Sequence, residues 1–108
     1  MNILLDENVP TKLKFDFDYR YNVSTVLSRG WSGKKNGELL KLMIESGIQV
    51  FMTLDQNLEY QQNLSNVPLL IILLIAKDSK HQTLQPLAPQ IVKKLQNFTQ
   101  NEVFRIEV

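Results

Sequence analysis

Short apolar runs, separated by segments with helical spacing, divide this chain into strands and helices. The first run, residues 3–5, ends abruptly in Asp6, Glu7 and Asn8 with a proline just beyond, which is typical of a buried parallel strand that leads into a helix. Further strands are predicted over residues 22–26, 48–54, 69–75 and 103–108. The last of them alternates between apolar and polar positions, which indicates a half-exposed strand.

Two segments between the strands have clear helical spacing. Residues 36–46 predict a helix whose apolar face consists of Leu39, Leu40, Met43 and Ile44. Residues 84–98 have the strongest amphipathic pattern in the chain. The regular part of that helix is expected to begin near Pro86 or Pro89, since a proline deep inside a helix costs about 3 kcal/mol.

Three other segments are less regular. Residues 9–15 favour a short helix because Pro10 suits a first helical turn, although alternating apolar positions over residues 13–21 also fit a strand. Residues 58–63 indicate a helical turn followed by a loop. Residues 77–83, which contain the single histidine, His81, indicate a polar loop.

Strands that alternate with helical segments predict an α/β fold. We expect a three-layer domain with a mainly parallel central sheet of four to five strands. The 108 residues suffice for one such domain with a single core. We therefore treat residues 1–108 as one domain.

Composition narrows the classes of function. The 12 basic and 11 acidic residues give a net charge of +1, so a nucleic-acid partner is allowed but not indicated by charge. The absence of cysteine excludes disulfides, thiolate metal sites and thiol nucleophiles, and fits a reducing cytoplasm. We expect no signal peptide and no membrane partner, because the longest apolar run, residues 67–76, falls short of the roughly 20 residues of a membrane helix.

Acidic residues follow the strands at positions where they can meet. Asp6 and Glu7 close the first strand, Asp55 closes the third, and Glu38 lies in the first turn of the helix before that strand. In a parallel sheet these positions share the carboxyl edge, where ligands bind. Carboxylates that converge repel one another unless a cation intervenes, and oxygen ligands favour Mg²⁺ or Mn²⁺. A bound ion of this kind can activate water against a phosphoryl group.

Each acid also has a purely structural interpretation. Asp6 or Asn8 would cap the first helix, Asp55 would cap the next turn, and Glu38 would be a favourable charge near a helix N-terminus. The basic residues of the loop before Glu38 are open to the same choice. Either they hold a phosphate backbone or they are solvated loop residues: Arg29, Lys34 and Lys35.

Three spaced motifs resemble, in order and spacing, a family of short bacterial PIN-like domain proteins. They are ILLDENVP at residues 3–10, GWSGKKNGELL at residues 30–40 and VFMTLDQNL at residues 50–58. Further similarity covers residues 60–64 and 84–89, so the resemblance extends over nearly the whole chain. It implies an α/β/α PIN-like domain related to PIN-domain nucleases, in which acids at strand ends bind Mg²⁺ or Mn²⁺ and cleave single-stranded RNA.

The resemblance also implies roles for individual residues. Asp6 matches the acid of the first strand, Glu38 the helix acid and Asp55 the acid after the third strand, as catalytic and metal-binding residues. Glu7 is a secondary candidate, as are Asn36 and Asn57, which stand where many relatives have an acid. Because an amide oxygen brings no charge, these two positions predict weaker metal binding.

Three functions follow as hypotheses. The first is a metal-dependent ribonuclease, a hydrolase. The resemblance extends this hypothesis to the toxin of a toxin–antitoxin pair, which would have an antitoxin partner. The second is a non-catalytic module that pairs with a partner or with itself, and the apolar face of the last helix and strand would support such a homodimer. The third and most distant is a phosphoacceptor receiver domain, which places acids at the same strand ends but needs a lysine after its fifth strand.

Overall fold

Parallel strands and the helices that connect them make up the structure, a computed structural model that describes residues 1–58, 64 and 66–107. The strands are β1 (Asn2–Leu5), β2 (Asn22–Thr25), β3 (Val50–Thr53), β4 (Leu70–Ile75) and β5 (Glu102–Glu107). The α-helices of these described residues are α1 (Asn36–Glu45), α2 (His81–Leu84) and α3 (Ala88–Gln96). Two 3₁₀ segments cover Thr11–Asp16 and Gln85–Leu87.

The sheet is parallel throughout and has the order β2-β1-β3-β4-β5. From β1 the chain moves outward to β2 on one side and then returns to β3 on the other. The strand order therefore reverses between β1 and β3, which is the switch point where ligands bind in open α/β sheets. We call the ends of β1, β3 and β4, together with residues 6–10, 54–57 and 76–80, the carboxyl edge.

Alternation along the strands fills two apolar layers, one on each side of the sheet. On one side Leu5, Met52 and Ile72 pack with residues of the 3₁₀ segments, α2 and α3. On the other side Leu4, Phe51 and Ile71 pack with the apolar face of α1. This confirms the predicted α/β fold in three layers, with five strands.

The last two strands differ as the sequence predicts. β4 lies inside the sheet and five of its six residues are buried, because it has a strand on each side and a packed layer on each face. β5 lies at the edge and buries only Ile106 fully. The predicted half-exposed strand is confirmed up to Glu107, and Val108 lies outside the described residues.

Most of the predicted boundaries agree with the structure to within two residues. The helix predicted over residues 36–46 is α1, and the amphipathic helix becomes regular at Ala88, beside Pro89, as expected. Of the segment at residues 58–63, only Leu58 is described. None of the helices in the described residues is long and apolar enough to cross a membrane.

Two local predictions are wrong in detail. The helix expected over residues 9–15 is a 3₁₀ segment that begins at Thr11, because Pro10 has an extended conformation with ψ 134°. The polar loop expected over residues 77–83 ends early, since α2 begins at His81. His81 contacts Asp16 of the 3₁₀ segment, and a tertiary contact of this kind leaves no local pattern in the sequence.

Candidate functional site

β1 delivers Asp6 to the carboxyl edge. The Asp6 backbone N–H donates to the Met52 carbonyl at 2.9 Å, so β1 remains beside β3 one residue beyond the strand. Both carboxylate oxygens of Asp6 accept hydrogen bonds, Oδ1 from the Glu7 backbone N–H at 2.8 Å and Oδ2 from the Thr53 hydroxyl at 2.7 Å. The carboxylate is therefore fixed in position without any cationic partner among these contacts.

Thr53 links the ends of the two strands. Its side chain is fully buried, and its hydroxyl donates to Asp6 and accepts the backbone N–H of Asp55 at 3.0 Å. Asn8 adds a second link, because its Oδ1 accepts the Leu54 backbone N–H at 3.1 Å. The segments that follow β1 and β3 are thus joined by side chains at the switch point.

Burial makes the ionised form of Asp6 unfavourable and raises the pKa of its carboxyl. The hydrogen bonds from Thr53 and from the Glu7 backbone oppose this and lower the pKa, while the negative charges of Asp55 and Glu7 raise it. The net shift of the Asp6 pKa is upward. A cation placed between Asp6 and Asp55 would remove the repulsion and favour the charged carboxylate.

Asp55 also holds the turn that follows β3. Its Oδ1 accepts the backbone N–H of Asn57 at 3.0 Å, a bond typical of aspartate at the start of a turn. Asp55 therefore has the predicted structural role of capping this turn, in addition to any role in binding an ion. For Asp6 and Asn8 the capping interpretation is wrong, since no side chain caps the 3₁₀ segment that follows them.

Glu38 lies in the first turn of α1, where the sequence places it. Its Oε1 is 3.1 Å from Lys34 Nζ, and its side chain is 55% exposed. Within the described ranges, no group of three or more histidine, aspartate or glutamate side chains is arranged to hold a metal ion. The structure brings Asp6 and Asp55 together and leaves Glu38 paired with Lys34.

Glu7 ties the glycine-containing loop to the acidic segment. Its Oε1 accepts the backbone N–H of Gly33 at 3.1 Å. Gly33 has a φ of 81°, a left-handed conformation that glycine adopts without strain. Glu7 is therefore a structural link between the carboxyl edge and the start of α1. Asn36 is the first residue of that helix.

The predicted RNA-binding residues differ in availability. Arg29 donates from Nε to Ser24 at 2.9 Å, and its guanidinium lies 5.3 Å from the centre of the Trp31 ring. Lys34 pairs with Glu38. Lys35 precedes α1 and is exposed. Two of the three cationic side chains are thus engaged within the chain itself.

Sequence reasoning overlooked Thr53 and gave Asn8 only a capping role. Thr53 reads as an ordinary strand residue, because threonine favours β-structure. A signal was nevertheless present, since Thr53 is the polar residue at the end of an apolar strand, two positions before an acid. A buried hydroxyl at that position needs a partner, and the acid of the neighbouring strand provides one.

The donor set at this edge consists of oxygen atoms. Asp6 and Asp55 supply carboxylates, and the chain has no cysteine and one histidine. Mg²⁺ and Mn²⁺ accept one or two protein carboxylates and fill their remaining positions with water or substrate phosphate. The residues of the carboxyl edge therefore fit either ion, and they do not fit zinc, which prefers nitrogen and sulfur ligands.

Comparison with protein-family models gives no match to this chain, and neither curated proteins nor solved structures give one. The similarity to PIN-like proteins therefore rests on the three sequence motifs. Membership of the PIN-like family, which this similarity implies, stays a prediction.

Proposed function

We propose that this chain is a nuclease that depends on Mg²⁺ or Mn²⁺ and hydrolyses phosphodiester bonds of single-stranded RNA at the carboxyl edge. The observation that supports it most is the pair Asp6 and Asp55 at the switch point of the sheet, where the Thr53 hydroxyl contacts both the Asp6 carboxylate and the Asp55 backbone N–H. The raised pKa of Asp6 agrees with a carboxylate whose charged form a cation would stabilise. The similarity to PIN-like nucleases points to the same chemistry by analogy.

In this proposal each residue of the edge has a defined task. Asp6 and Asp55 hold the ion, Thr53 orients the Asp6 carboxylate, and Asn8 fixes the backbone after β3. The bound ion would polarise a phosphoryl oxygen and lower the pKa of a coordinated water. Two protein carboxylates would leave open positions on such an ion, which water and a substrate phosphate would fill.

In this proposal Glu38 binds the ion only if its carboxylate leaves Lys34. Its pair with Lys34 is exposed, and such pairs are worth only about 0–1 kcal/mol. An ion bound at the edge is strong enough to compete for that carboxylate. If Glu38 joins the site, Glu38→Gln weakens Mn²⁺-dependent cleavage, whereas Lys34→Gln strengthens it or leaves it unchanged.

The direct test uses purified protein and a single-stranded RNA with Mn²⁺. We expect cleavage that chelation abolishes and that Asp6→Asn reduces at least about a hundredfold, which is the scale of losing one catalytic contact. Asp18→Asn is the matched control, because Asp18 is an exposed aspartate paired with Arg20 at the other end of the sheet. Cleavage by Asp6→Asn at the wild-type rate would overturn the proposal.

A non-catalytic binding module is the second candidate. The Lys34–Glu38 pair and the amides at Asn36 and Asn57 favour it, because they leave fewer charges for an ion. Calorimetry separates the two, since the nuclease binds Mn²⁺ through Asp6 and the module does not. The homodimer stays a prediction. Leu87, Ile91 and Leu95 of the last helical region are buried in the core, so of the predicted surface it would use the edge strand β5.

The receiver-like hypothesis gains support from the strand order alone, which is also found in receiver domains. β5 ends at Glu107 and offers no lysine at its described end. Incubation with acetyl phosphate tests it, and transfer of phosphate to Asp55 would favour a phosphoacceptor over a nuclease. The toxin hypothesis stays a prediction that growth arrest on expression, relieved by Asp6→Asn, would support.

A further inference from the structure

An open cleft lies beside the acid pair, at the same carboxyl edge. Its volume is about 570 Å³, and it is lined by Pro10, Lys12, Ser79, Lys80, His81 and Gln82. Pro10 follows the segment that carries Asp6, and Ser79 follows β4, the neighbour of β3. We call this the basic cleft. Its position lets one extended ligand contact both the cleft and the acid pair.

The cleft carries two lysines, Lys12 and Lys80, neither of which forms an ion pair with a described residue. Two acids lie nearby, and the hydrogen bond from Thr83 and, in part, the charge of Lys80 lower the pKa of one of them, Asp78. Asp16 contacts His81 Nε2 at 2.7 Å and the Gln85 amide at 3.0 Å, and Asp78 accepts the backbone N–H of Lys80 at 3.0 Å.

An exposed aromatic ring continues the cleft along the 3₁₀ segment. A 3₁₀ helix has three residues per turn, so Lys12 and Phe15 lie on the same ridge, about 6 Å apart along the axis. Phe15 is 75% exposed, although burial of a phenylalanine is worth about 1.5–3 kcal/mol. Lys14 places its ammonium group 5.0 Å from the centre of the same ring. The side chain is thus exposed, with one ammonium group over its ring.

We infer that the basic cleft and Phe15 form a binding track for a single strand of nucleic acid that leads to the acid pair. Lys12 and Lys80 contact backbone phosphates, and a base stacks on Phe15. Aromatic rings beside cationic grooves bind single strands in this manner, because every base has a face that can stack. The inference names the path of the substrate in the proposed function and rests on that function for the direction of the path.

The ring distinguishes a single strand from other anionic ligands. A base-paired duplex keeps its bases stacked inside and offers phosphates alone, so Phe15 would add nothing. An acidic peptide also has no use for an exposed phenyl ring among lysines. Binding that depends on both the lysines and Phe15 therefore identifies an unpaired strand.

The test measures binding without cleavage, using a labelled oligouridine RNA in the presence of EDTA. Phe15→Ala is expected to weaken binding about tenfold or more, on the scale of one lost base stack. Lys12→Gln with Lys80→Gln is expected to weaken binding and to reduce the salt slope by roughly 1.4, since each phosphate contact in a single strand contributes roughly 0.7.

Matched controls use residues of the same type outside the track. Tyr19 is 96% exposed but lies just before β2, at the opposite end of the sheet, so Tyr19→Ala tests for unspecific aromatic effects. Lys41→Gln with Lys93→Gln removes the same charge from the exposed sides of α1 and α3. The track is contradicted if the controls lose as much affinity as the track variants, if Phe15→Ala has no effect, or if a duplex or polyglutamate binds equally well.

Different results contradict the binding track and the nuclease proposal. Binding that depends on Phe15 and the lysines, with no Asp6-dependent cleavage, supports the track and overturns the nuclease. Asp6-dependent cleavage that none of the track variants changes supports the nuclease and overturns the track. Thermal unfolding of each variant confirms that it is folded, and exposed positions such as Phe15 are expected to keep the wild-type transition.

Discussion

Asp6, where β1 ends at the carboxyl edge, and two acids at the periphery, Asp18 and Glu102, have opposite surroundings. Asp18 pairs with Arg20 at 2.7 Å, and that guanidinium lowers the pKa of the aspartate. Glu102 accepts hydrogen bonds from Thr99 and Lys94, the first of which is the larger cause of its lowered pKa. Asp6 is held by neutral donors, and burial raises its pKa.

The difference separates acids whose charge is already balanced from one whose charge is not. Asp18 and Glu102 each have a cation of the chain beside them, so their charged forms are already favoured. The carboxylates of Asp6 and Asp55 accept hydrogen bonds from neutral donors of the described residues. A site that binds a cation is expected to have this second character, because its own charges are complete only with the ligand.

The largest expected effect concerns two threonines whose hydroxyls donate to these acids, Thr53 to Asp6 and Thr99 to Glu102. Thr53→Val leaves Oδ2 of Asp6 without a donor and the Asp55 N–H without an acceptor, both in partly buried surroundings, so the free energy of unfolding falls by about 2–3 kcal/mol. Thr99→Val removes an exposed hydroxyl from Glu102 and costs less than about 0.5 kcal/mol. Urea unfolding measures both. Equal losses of stability in the two variants would show that the Thr53 hydroxyl contributes no more than the exposed Thr99 hydroxyl.

Mn²⁺ is expected to stabilise the folded chain by binding at the carboxyl edge and not at the peripheral acids. At a concentration ten times its Kd, Mn²⁺ raises the free energy of unfolding by about 1.4 kcal/mol, because it binds only the folded chain. Asp6→Asn abolishes this gain, whereas Asp18→Asn retains it. Thermal unfolding with and without the ion makes the comparison, and a gain that persists in Asp6→Asn would place the ion elsewhere.

The pH dependence of stability is expected to have opposite signs at the two kinds of acid. The raised pKa of Asp6 means that its contribution is complete below the ordinary aspartate pKa of about 3.9 and is lost as pH rises through the raised value. The lowered pKa of Glu102 means that its contribution is present above the ordinary glutamate value and is lost as pH falls.

Urea unfolding across the acidic to neutral range, without divalent ions, tests these signs. The advantage of wild type over Asp6→Asn shrinks with rising pH, and its advantage over Glu102→Gln grows. Parallel curves for the two variants would mean that the acids do not differ in surroundings.

The smallest expected effect is at the fully exposed pair. Asp18→Asn is expected to leave the unfolding midpoint within experimental error, because the Asp18–Arg20 pair is screened by water and salt. A change as large as that of Thr53→Val would remove the contrast between periphery and edge.

The sequence predicts elements well where the local pattern decides them. α1 follows from the spacing of Leu39, Leu40 and Met43, which are buried as predicted, whereas Ile44, predicted on the same face, is 43% exposed. β4 follows from an uninterrupted apolar run. The start of α2 at His81 was not predictable in this way, since its partner Asp16 is far along the chain.

The sequence likewise predicts only those parts of the candidate site that strand direction and local spacing decide. Strand ends place Asp6 and Asp55 at one edge, because the direction of parallel strands fixes it. The pairing of Glu38 depends on a rotamer, although Lys34 four residues earlier is a visible signal for an ion pair on a helix. The basic cleft joins residues near 12 and near 80, which only the tertiary fold brings together.

The parallel sheet has a consequence for how the chain reaches its native state. Ile3 lies opposite Val50, and Val50 opposite Leu70, so each ladder joins segments far apart in the sequence. Long chain loops must close before any strand is paired, which makes folding slow compared with helical bundles of similar length. During that interval the apolar strand Leu70–Ile75 is accessible to other chains. Yield on expression is therefore expected to improve at low temperature and low concentration, where collisions between unfolded chains are fewer.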